Sequence, residues 1–414
     1  MRVTVIDGDV SYPPTSGKRL RTLNLLLGLA DSFEITYIGR AETAPDADVE
    51  TFFRDHRISP ILVEAPLPRK HGIRFYMRLL ANLASDKPYS VTSHTLASMR
   101  AAVQRHAASQ PPDLWQLEWV GYDYCLDANQ SPVVLQAHNV EALIWQRFRD
   151  VETNPLKRAY FTTQWRKMMA HEARIFPRVS RVIAVSREDA ALARNLYGHF
   201  SSEVIENGVD TAYFAKTGRQ AGSRTILFLG ALDWRPNLDG IDFLLREIWP
   251  RVRMRLPDAR LSIVGRHAPS GLVQRIATEP GATLAADVAD VRPYMREAAA
   301  MAVPLRIGGG SRLKILEALA ARLPVVSTTV GAEGLDLIDG THFANADDPE
   351  SFSAALVDAL EHPANHARMA EAGCAHVAQH NDWSILADRL GRIWQQAIAD
   401  SAKAACPKAE LTGP

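Results

Sequence analysis

Cysteine is scarce in this chain: Cys125, Cys374 and Cys406 are far apart and have no metal-ligand spacing. That excludes a disulfide framework and a thiolate zinc site. A charge excess is missing too, because Lys+Arg and Asp+Glu both number 47. No global field recruits nucleic acid or a membrane, so any anion site has to be built locally. No apolar run approaches the ~18 residues of a membrane-spanning helix. The N-terminus, MRVTVIDGD, enters a strand pattern directly, without the basic segment and long apolar stretch of a signal peptide. A soluble, cytoplasmic protein is the expectation. No G-x-G-x-x-G follows a strand pattern, which counts against a nicotinamide cofactor. Asp7-Gly8-Asp9 and Asp46-Ala47-Asp48 have D-x-D spacing, but such pairs arise by chance in any acidic loop. His171-Glu172 lacks the second histidine of a zinc-binding helix.

What is present is a long alternation of strand-length apolar runs with helical patterns. At 414 residues the chain is too long for one compact core. The first half offers VTVID, EITYIG, PILVE, DLWQLE, VVLQA, RVIAV and EVIEN as strands. The second restarts with TILFLG, RLSIVG, ATLAA, AAMAVPL, PVVST and THFAN. Strands separated by helices imply parallel sheets, here an α/β chain of two doubly wound, Rossmann-like domains facing a cleft. The expected boundaries are residues 1–208 for the first domain and 224–380 for the second. Residues 209–223 lose periodicity and form the expected linker. A C-terminal helix over 381–400 and a flexible tail over 401–414 complete the organisation.

The most informative stretch is MAVPLRIGGGSRLKILEALAARLPVVSTTVGAEGL, from Met301 to Leu335. It reads as strand, glycine loop, helix, strand. Gly308, Gly309 and Gly310 let the backbone approach a ligand that any Cβ would push away. Ser311 is the expected N-cap, so the loop feeds a helix N-terminus suited to an anion. Arg312 and Lys314 add positive charge where the helix dipole alone would favour acids. Glu317, one turn after Lys314, is an acceptor suited to sugar hydroxyls. The combination describes a socket for a nucleoside diphosphate.

Together with YPPTSGKRLR, QAHNVEA, ENGVD, FLGALDWRPNLDGIDFLLREIWP and LSIVGR in order along the chain, this stretch resembles the retaining, GT-B fold glycosyltransferases of family 4. The resemblance covers Met1 to about Ala399. It implies sugar transfer from a nucleotide-diphosphate sugar to an acceptor hydroxyl, with retention and without a metal or other cofactor. Cell-surface polysaccharide or glycoconjugate biosynthesis is the implied setting. Glu317 matches the second glutamate of the family's two-glutamate motif, on the nucleotide ribose. The first would fall on Gly309, a departure that leaves the donor sugar open. Ala231 and Pro236 stand where relatives carry an arginine and a lysine on the diphosphate. Arg235 survives nearby, and the phosphate clamp is expected to have moved to Arg312 and Lys314. The resemblance also implies that the final helix crosses back onto the N-terminal domain.

Other candidates lie at strand ends, where sheets of this type place ligands. His138, beside Asn139 and Glu141, matches a histidine that faces the sugar in relatives. Gly17 matches a loop glycine near the donor phosphates, and Gly265 and Arg266 are expected near the base. Glu118 and Trp119 suit hydroxyl recognition and sugar stacking on the acceptor side, with interdomain packing as the alternative. Glu333 is a candidate to take over the sugar contact that a glycine at position 309 has no side chain to make. The expected partners are the nucleotide sugar and a saccharide, lipid-linked saccharide or small-molecule acceptor, with no nucleic acid. Two basic, partly amphipathic stretches, RKHGIRFYMRLL from Arg69 and KRAYFTTQWRKMM from Lys157, suit a membrane surface at its inner face, an acceptor groove or a solvated helix face. A GT-B epimerase or phosphorylase and a non-catalytic sugar- or nucleotide-binding module remain alternative readings.

Overall fold

The computed structural model describes residues 1–126, 131–307 and 312–405. The sequence candidates Gly308, Gly309, Gly310 and Ser311 lie outside the described residues, as does the tail from Cys406. The chain divides into two compact units, Met1–Glu206 with Leu386 onward, and Asn207–Ile385.

The first unit is built on a seven-stranded parallel sheet. Its strands are β1 (Arg2–Asp7), β2 (Glu34–Ala41), β3 (Ile58–Glu64), β4 (Leu114–Leu117), β5 (Val133–Ala137), β6 (Arg181–Ala184) and β7 (Ser202–Val204). They lie in the order β3-β2-β1-β4-β5-β6-β7. The direction of winding reverses between β1 and β4, so the crevice outside their carboxyl ends is the ligand position for a sheet of this kind. The core on one side gathers Ile6, Trp115, Leu117, Leu135 and Val182 under Met99, Val103 and Phe176.

The second unit holds a six-stranded sheet, also all parallel, in the order β10-β9-β8-β11-β12-β13. Its strands are β8 (Thr225–Leu229), β9 (Arg260–Gly265), β10 (Ala282–Ala286), β11 (Ala300–Val303), β12 (Val325–Ser327) and β13 (Ala344–Asn345). Ile226 and Phe228 pack into one core with Trp249 and Phe352, while Leu227 and Leu229 pack into another with Leu316 and Val325. Both faces of β8 are therefore apolar. That is why the strand reads as an unbroken hydrophobic run rather than an alternation. Each large side chain buried this way contributes about 1.5–3 kcal/mol.

The expected linker differs from what is observed. Its first part forms a helix, Thr211–Ala215, capped by the Asp210 side chain on Tyr213 N–H at 2.8 Å. Val209 and Phe214 are buried in the second unit, and this apolar anchorage overrides the polar composition around them. The last helix, Trp383–Ala405, runs past the expected end at residue 400. From Leu386 onward it belongs to the first unit, where Trp394 is buried and donates its indole N–H to Gln116 Oε1 at 2.7 Å.

Candidate functional site

In the first unit, strand register sets the site. Ile6 pairs with Leu117 and Leu117 with Leu135, so Asp7, Glu118 and His138 emerge from neighbouring strands on the same edge. Glu118 is only 2% exposed. Thr22 donates to one carboxylate oxygen at 2.7 Å, Gln116 to the other at 2.5 Å, and His138 Nε2 lies 3.1 Å from Glu118 Oε2. An ionised carboxylate only accepts, so Nε2 carries the hydrogen and Nδ1 is the ring's remaining polar site. Burial pushes the Glu118 carboxyl up, but the hydrogen bond and charge of His138, then Lys18 and Thr22, bring it well below the usual carboxylate range. Burial lowers His138, against the pull of Glu118, with Lys18 and Arg21 adding to the decrease. These directions compete for one proton. Enclosure of the ring beside two cations favours ionised Glu118 with neutral His138.

Glu118 is thus buried within its unit and hydrogen-bonded to Thr22, Gln116 and His138 rather than presented to solvent. Trp119 is half-buried against His94 and Tyr122. Asn139 is exposed beside His138. Glu141, at the start of the helix Glu141–Val151, is pushed up to about 7 by burial and by the charge of Glu172. Glu172 accepts from Glu141 N–H at 2.8 Å, Ala142 N–H at 3.0 Å and Tyr197 hydroxyl at 2.7 Å. It caps from outside the helix that follows the His138 loop. Gly17 begins the helix Gly17–Leu29, whose N-cap is Ser16. The next residue, Lys18, pairs with buried Asp7, and Arg19 pairs with Asp9, so both acids of the first D-x-D pair are matched by bases. Asp46 of the second pair caps the helix Ala47–Asp55.

In the second unit the winding reverses between β8 and β11. Gly230 follows β8 and Gly265 ends β9; a Cβ on Gly265 would run into the Gly230 carbonyl oxygen. A Cβ on Gly230 would lie 2.7 Å from Asn237 Nδ2 and 2.9 Å from Lys314 Nζ. Glycine is needed at 265 for close backbone approach, and at 230 a side chain would displace Asn237 and Lys314; backbone angle is not the reason at either place. Asn237, in the first turn of the helix Arg235–Phe243, donates to Ala231 carbonyl at 2.8 Å. This fixes its side-chain oxygen toward Lys314 Nζ, also at 2.8 Å.

Lys314 belongs to the helix Leu313–Ala320, whose N-cap position is Arg312. Burial, with the charge of Arg312, pushes the Lys314 ammonium down to about 7 despite Glu317. Glu317 is pushed up to about 7 by burial, partly offset by Lys314. Arg312 is itself buried and lies 3.3 Å from Glu333, whose carboxylate is exposed. Glu333 therefore supports Arg312. Arg235 and Arg266 are both exposed. The structure brings Lys314 together with Gly230 and Asn237, and Arg312 with Glu333. The roles of Asn237, Thr22, Gln116 and Glu172 escaped the sequence reading. Of these only Asn237, adjacent to Pro236 in the first turn after a strand-end glycine, carried a local signal.

Both halves of the chain match family models. Residues 17–213 match the model described as Glycosyltransferase Family 4, and residues 223–362 the one described as Glycosyl transferases group 1. A GDP-mannose-dependent monoacylated alpha-(1-6)-phosphatidylinositol monomannoside mannosyltransferase of Corynebacterium glutamicum is 24% identical over 373 residues, 79% of this chain and 95% of that protein. A phosphatidyl-myo-inositol mannosyltransferase of Mycobacterium leprae is 30% identical over 213 residues, 48% of this chain and 54% of that protein. Among solved structures, sucrose-phosphate synthase from Thermosynechococcus elongatus aligns with a TM-score of 0.68 at 17% identity, covering 97% of this chain and all of the other. Anabaena HepE in complex with UDP aligns with a TM-score of 0.65 at 15% identity, covering 96% of this chain and 100% of that one. With two parallel, doubly wound sheets and these matches along its length, the chain is a GT-B glycosyltransferase of the family 4 type.

Proposed function

We propose that the enzyme transfers a glycosyl group from a nucleotide-diphosphate sugar to an acceptor hydroxyl, with retention and without a metal. The observation that carries this reading is Lys314, held by Asn237 beside Gly230, with Glu317 one turn further along the same helix. Breaking the anomeric bond builds negative charge on the departing diphosphate and positive character on the sugar ring. Lys314 and Arg312 supply the charge for the first, close to a helix N-terminus. In this reading Glu317 accepts from the ribose hydroxyls, Gly17 lies near the phosphates, and Gly265 and Arg266 lie near the base. Arg235 adds a third cation on the diphosphate. His138, held by Glu118, faces the transferred sugar, with Asn139 and Trp119 on the acceptor side.

Three of the relatives are named for GDP-mannose as donor, and they act on phosphatidylinositol mannosides or a cellobiosyl-diphosphopolyprenol. Mannosyl transfer from GDP-mannose in glycoconjugate assembly is accordingly the first activity to test. The experiment is a thermal-shift panel of GDP, UDP, ADP and their sugars, with magnesium or with EDTA, followed by turnover assays on saccharide and polyprenyl-diphosphate acceptors. Stabilisation by one base in EDTA, with turnover of its sugar, is the expected result. Turnover that requires magnesium would overturn the metal-independent mechanism, and inversion at the anomeric carbon would overturn retention.

A further inference from the structure

Neither sugar transfer nor the strand-edge sites account for the helix Ile73–Leu83 in the first unit. Its inner face carries Phe75, Arg78 and Asn82. Phe75 packs on the Tyr89 ring with centroids 6.0 Å apart, and Arg78 Nε donates to the Tyr89 hydroxyl at 3.4 Å. Asn82 bonds Lys87 carbonyl, Thr92 and Gln164. These contacts fix which face points inward.

The outer face ought then to be polar, and it is not. Ile73, Tyr76, Met77, Leu80 and Leu83 are 74%, 61%, 61%, 67% and 47% exposed. At 3.6 residues per turn they form one continuous stripe. Scattered exposed apolar residues need no explanation, whereas a contiguous apolar stripe marks an interaction surface. The charge beside it has one sign. Arg69, Lys70, Arg74 and Arg78 fall between Glu64 and Asp86, and no acid lies between those two. In a chain whose charges balance overall, this is a local excess.

A second apolar edge belongs to the same helical cluster. Phe148, Val151 and Leu156, 50%, 66% and 82% exposed, flank the turn between the helices Glu141–Val151 and Pro155–Ile175. The latter helix is tied to Ile73–Leu83 by Lys167, which donates to Asn82 carbonyl at 2.5 Å, and by Gln164.

We propose that the Ile73–Leu83 helix docks the enzyme on an anionic lipid bilayer. Its apolar stripe enters the headgroup boundary, and Arg74, with Arg69 and Lys70 just before the helix, meets lipid phosphates. A helix with this combination lies in the plane of the interface, and affinity grows with both buried apolar area and anionic lipid. The proposal rests on this face alone and stands or falls apart from the donor chemistry.

The test is co-sedimentation of the full chain with vesicles of phosphatidylglycerol and phosphatidylcholine in equal parts, against vesicles of phosphatidylcholine alone. Thermal melts confirm folding of each variant. Binding to the anionic vesicles that weakens with added salt is expected. Arg74→Glu lowers the affinity roughly 20-fold, since each basic side chain near such a surface is worth about fivefold. The double variant Met77→Glu with Leu80→Glu abolishes sedimentation while keeping the wild-type melting temperature, because both side chains are exposed. For Tyr76→Trp, the fluorescence difference from wild type shifts to the blue on anionic vesicles and is quenched by brominated acyl chains. Equal binding to both vesicle types, binding undisturbed by the double variant, or a Tyr76→Trp difference signal that brominated lipid leaves unquenched would each overturn the proposal. So would a wild-type dimer that Met77→Glu/Leu80→Glu converts to monomer without any vesicle binding, since the stripe would then be covered by a second copy.

Discussion

The two units each place an acid and a base, buried or half-buried, at the carboxyl edge of a parallel sheet, and they treat them in opposite ways. In the first, Glu118 and His138 face each other directly, and Thr22 and Gln116 complete the carboxylate's hydrogen bonds. Its ionised form is more stable there than in water. In the second, Lys314 is offered an amide oxygen by Asn237 and the repulsion of Arg312, and both it and Glu317 are pushed toward neutrality. One arrangement is satisfied by its own side chains. Under the proposed function the other gains stability when an anion arrives, because the donor's diphosphate would supply the negative charge that burial withholds. Preorganised charge that a ligand relieves is a means of binding tightly at that one place.

The sharpest way to break this contrast is Lys314→Met. Donor affinity should fall roughly 10- to 100-fold, the worth of a charge-assisted hydrogen bond of about 1.5–3 kcal/mol, and turnover by more, which calorimetry and initial rates would show. The protein should nevertheless become more stable. The folded-state value of Lys314 is depressed from 10.5 to about 7, so its cost to folding grows as pH drops from 10.5 to 7 and is fully present below 7. The melting temperature of Lys314→Met should therefore exceed wild type at pH 6.5, with the gap closing toward pH 10. Equal stability at both pH values would mean that Lys314 is not strained.

Next in size is Glu118→Gln. It removes the charge that holds His138 while keeping the shape, and misplacing a group near reacting atoms costs up to about 100-fold in rate. Turnover should drop roughly 10- to 100-fold with donor affinity unchanged, the reverse of the Lys314 pattern.

A smaller effect distinguishes the units by pH. Binding a nucleotide sugar, whose diphosphate does not titrate near neutrality, should raise the Lys314 value and take up a proton. Affinity is then greatest below pH 7 and declines as pH rises through 7, by at most tenfold per pH unit. Calorimetry in buffers of differing ionisation enthalpy reads the proton directly, and Lys314→Arg, always charged, should flatten the profile. Smallest is Trp394→Phe, which loses the indole bond to Gln116 and about 1 kcal/mol of stability, seen in urea titrations, with a mild loss of turnover.

The same contrast explains how much was legible in the sequence. Parallel strands covered on both faces announce themselves as apolar runs, so β1, β4, β8, β11 and β12 stood out, and the alternation they set up brought in the partly buried strands and the last helix. Lys314, Glu317 and His138 were visible because each follows a strand end in a recognisable local pattern. Their partners were not, because Thr22 reaches Glu118 and Lys314 reaches Asn237 across long stretches of chain that only folding closes. A phosphate clamp was expected at Arg312 and Lys314, and the burial that alters their chemistry comes from residues distant in sequence. The partners of Glu118 were hidden for the same reason: an acid at a strand end shows its neighbours only once the chain has folded.

The return of the last helix has a consequence for how the protein is made. Trp394 fills part of the first unit's interior and closes a polar chain through Gln116 and Glu118 to His138. The ribosome emits residues up to Glu206 first, and must then make all of Asn207–Ile385 before Trp394 exists. At ~5–20 residues per second the wait is on the order of ten seconds. Throughout it the nascent first unit exposes the apolar surface that Trp394 will cover, while the second unit, contiguous in sequence, can finish as soon as it clears the exit tunnel. The later-synthesised half is thus the first able to complete itself, and a nascent chain stalled just short of Leu386 would need protection at its N-terminal half.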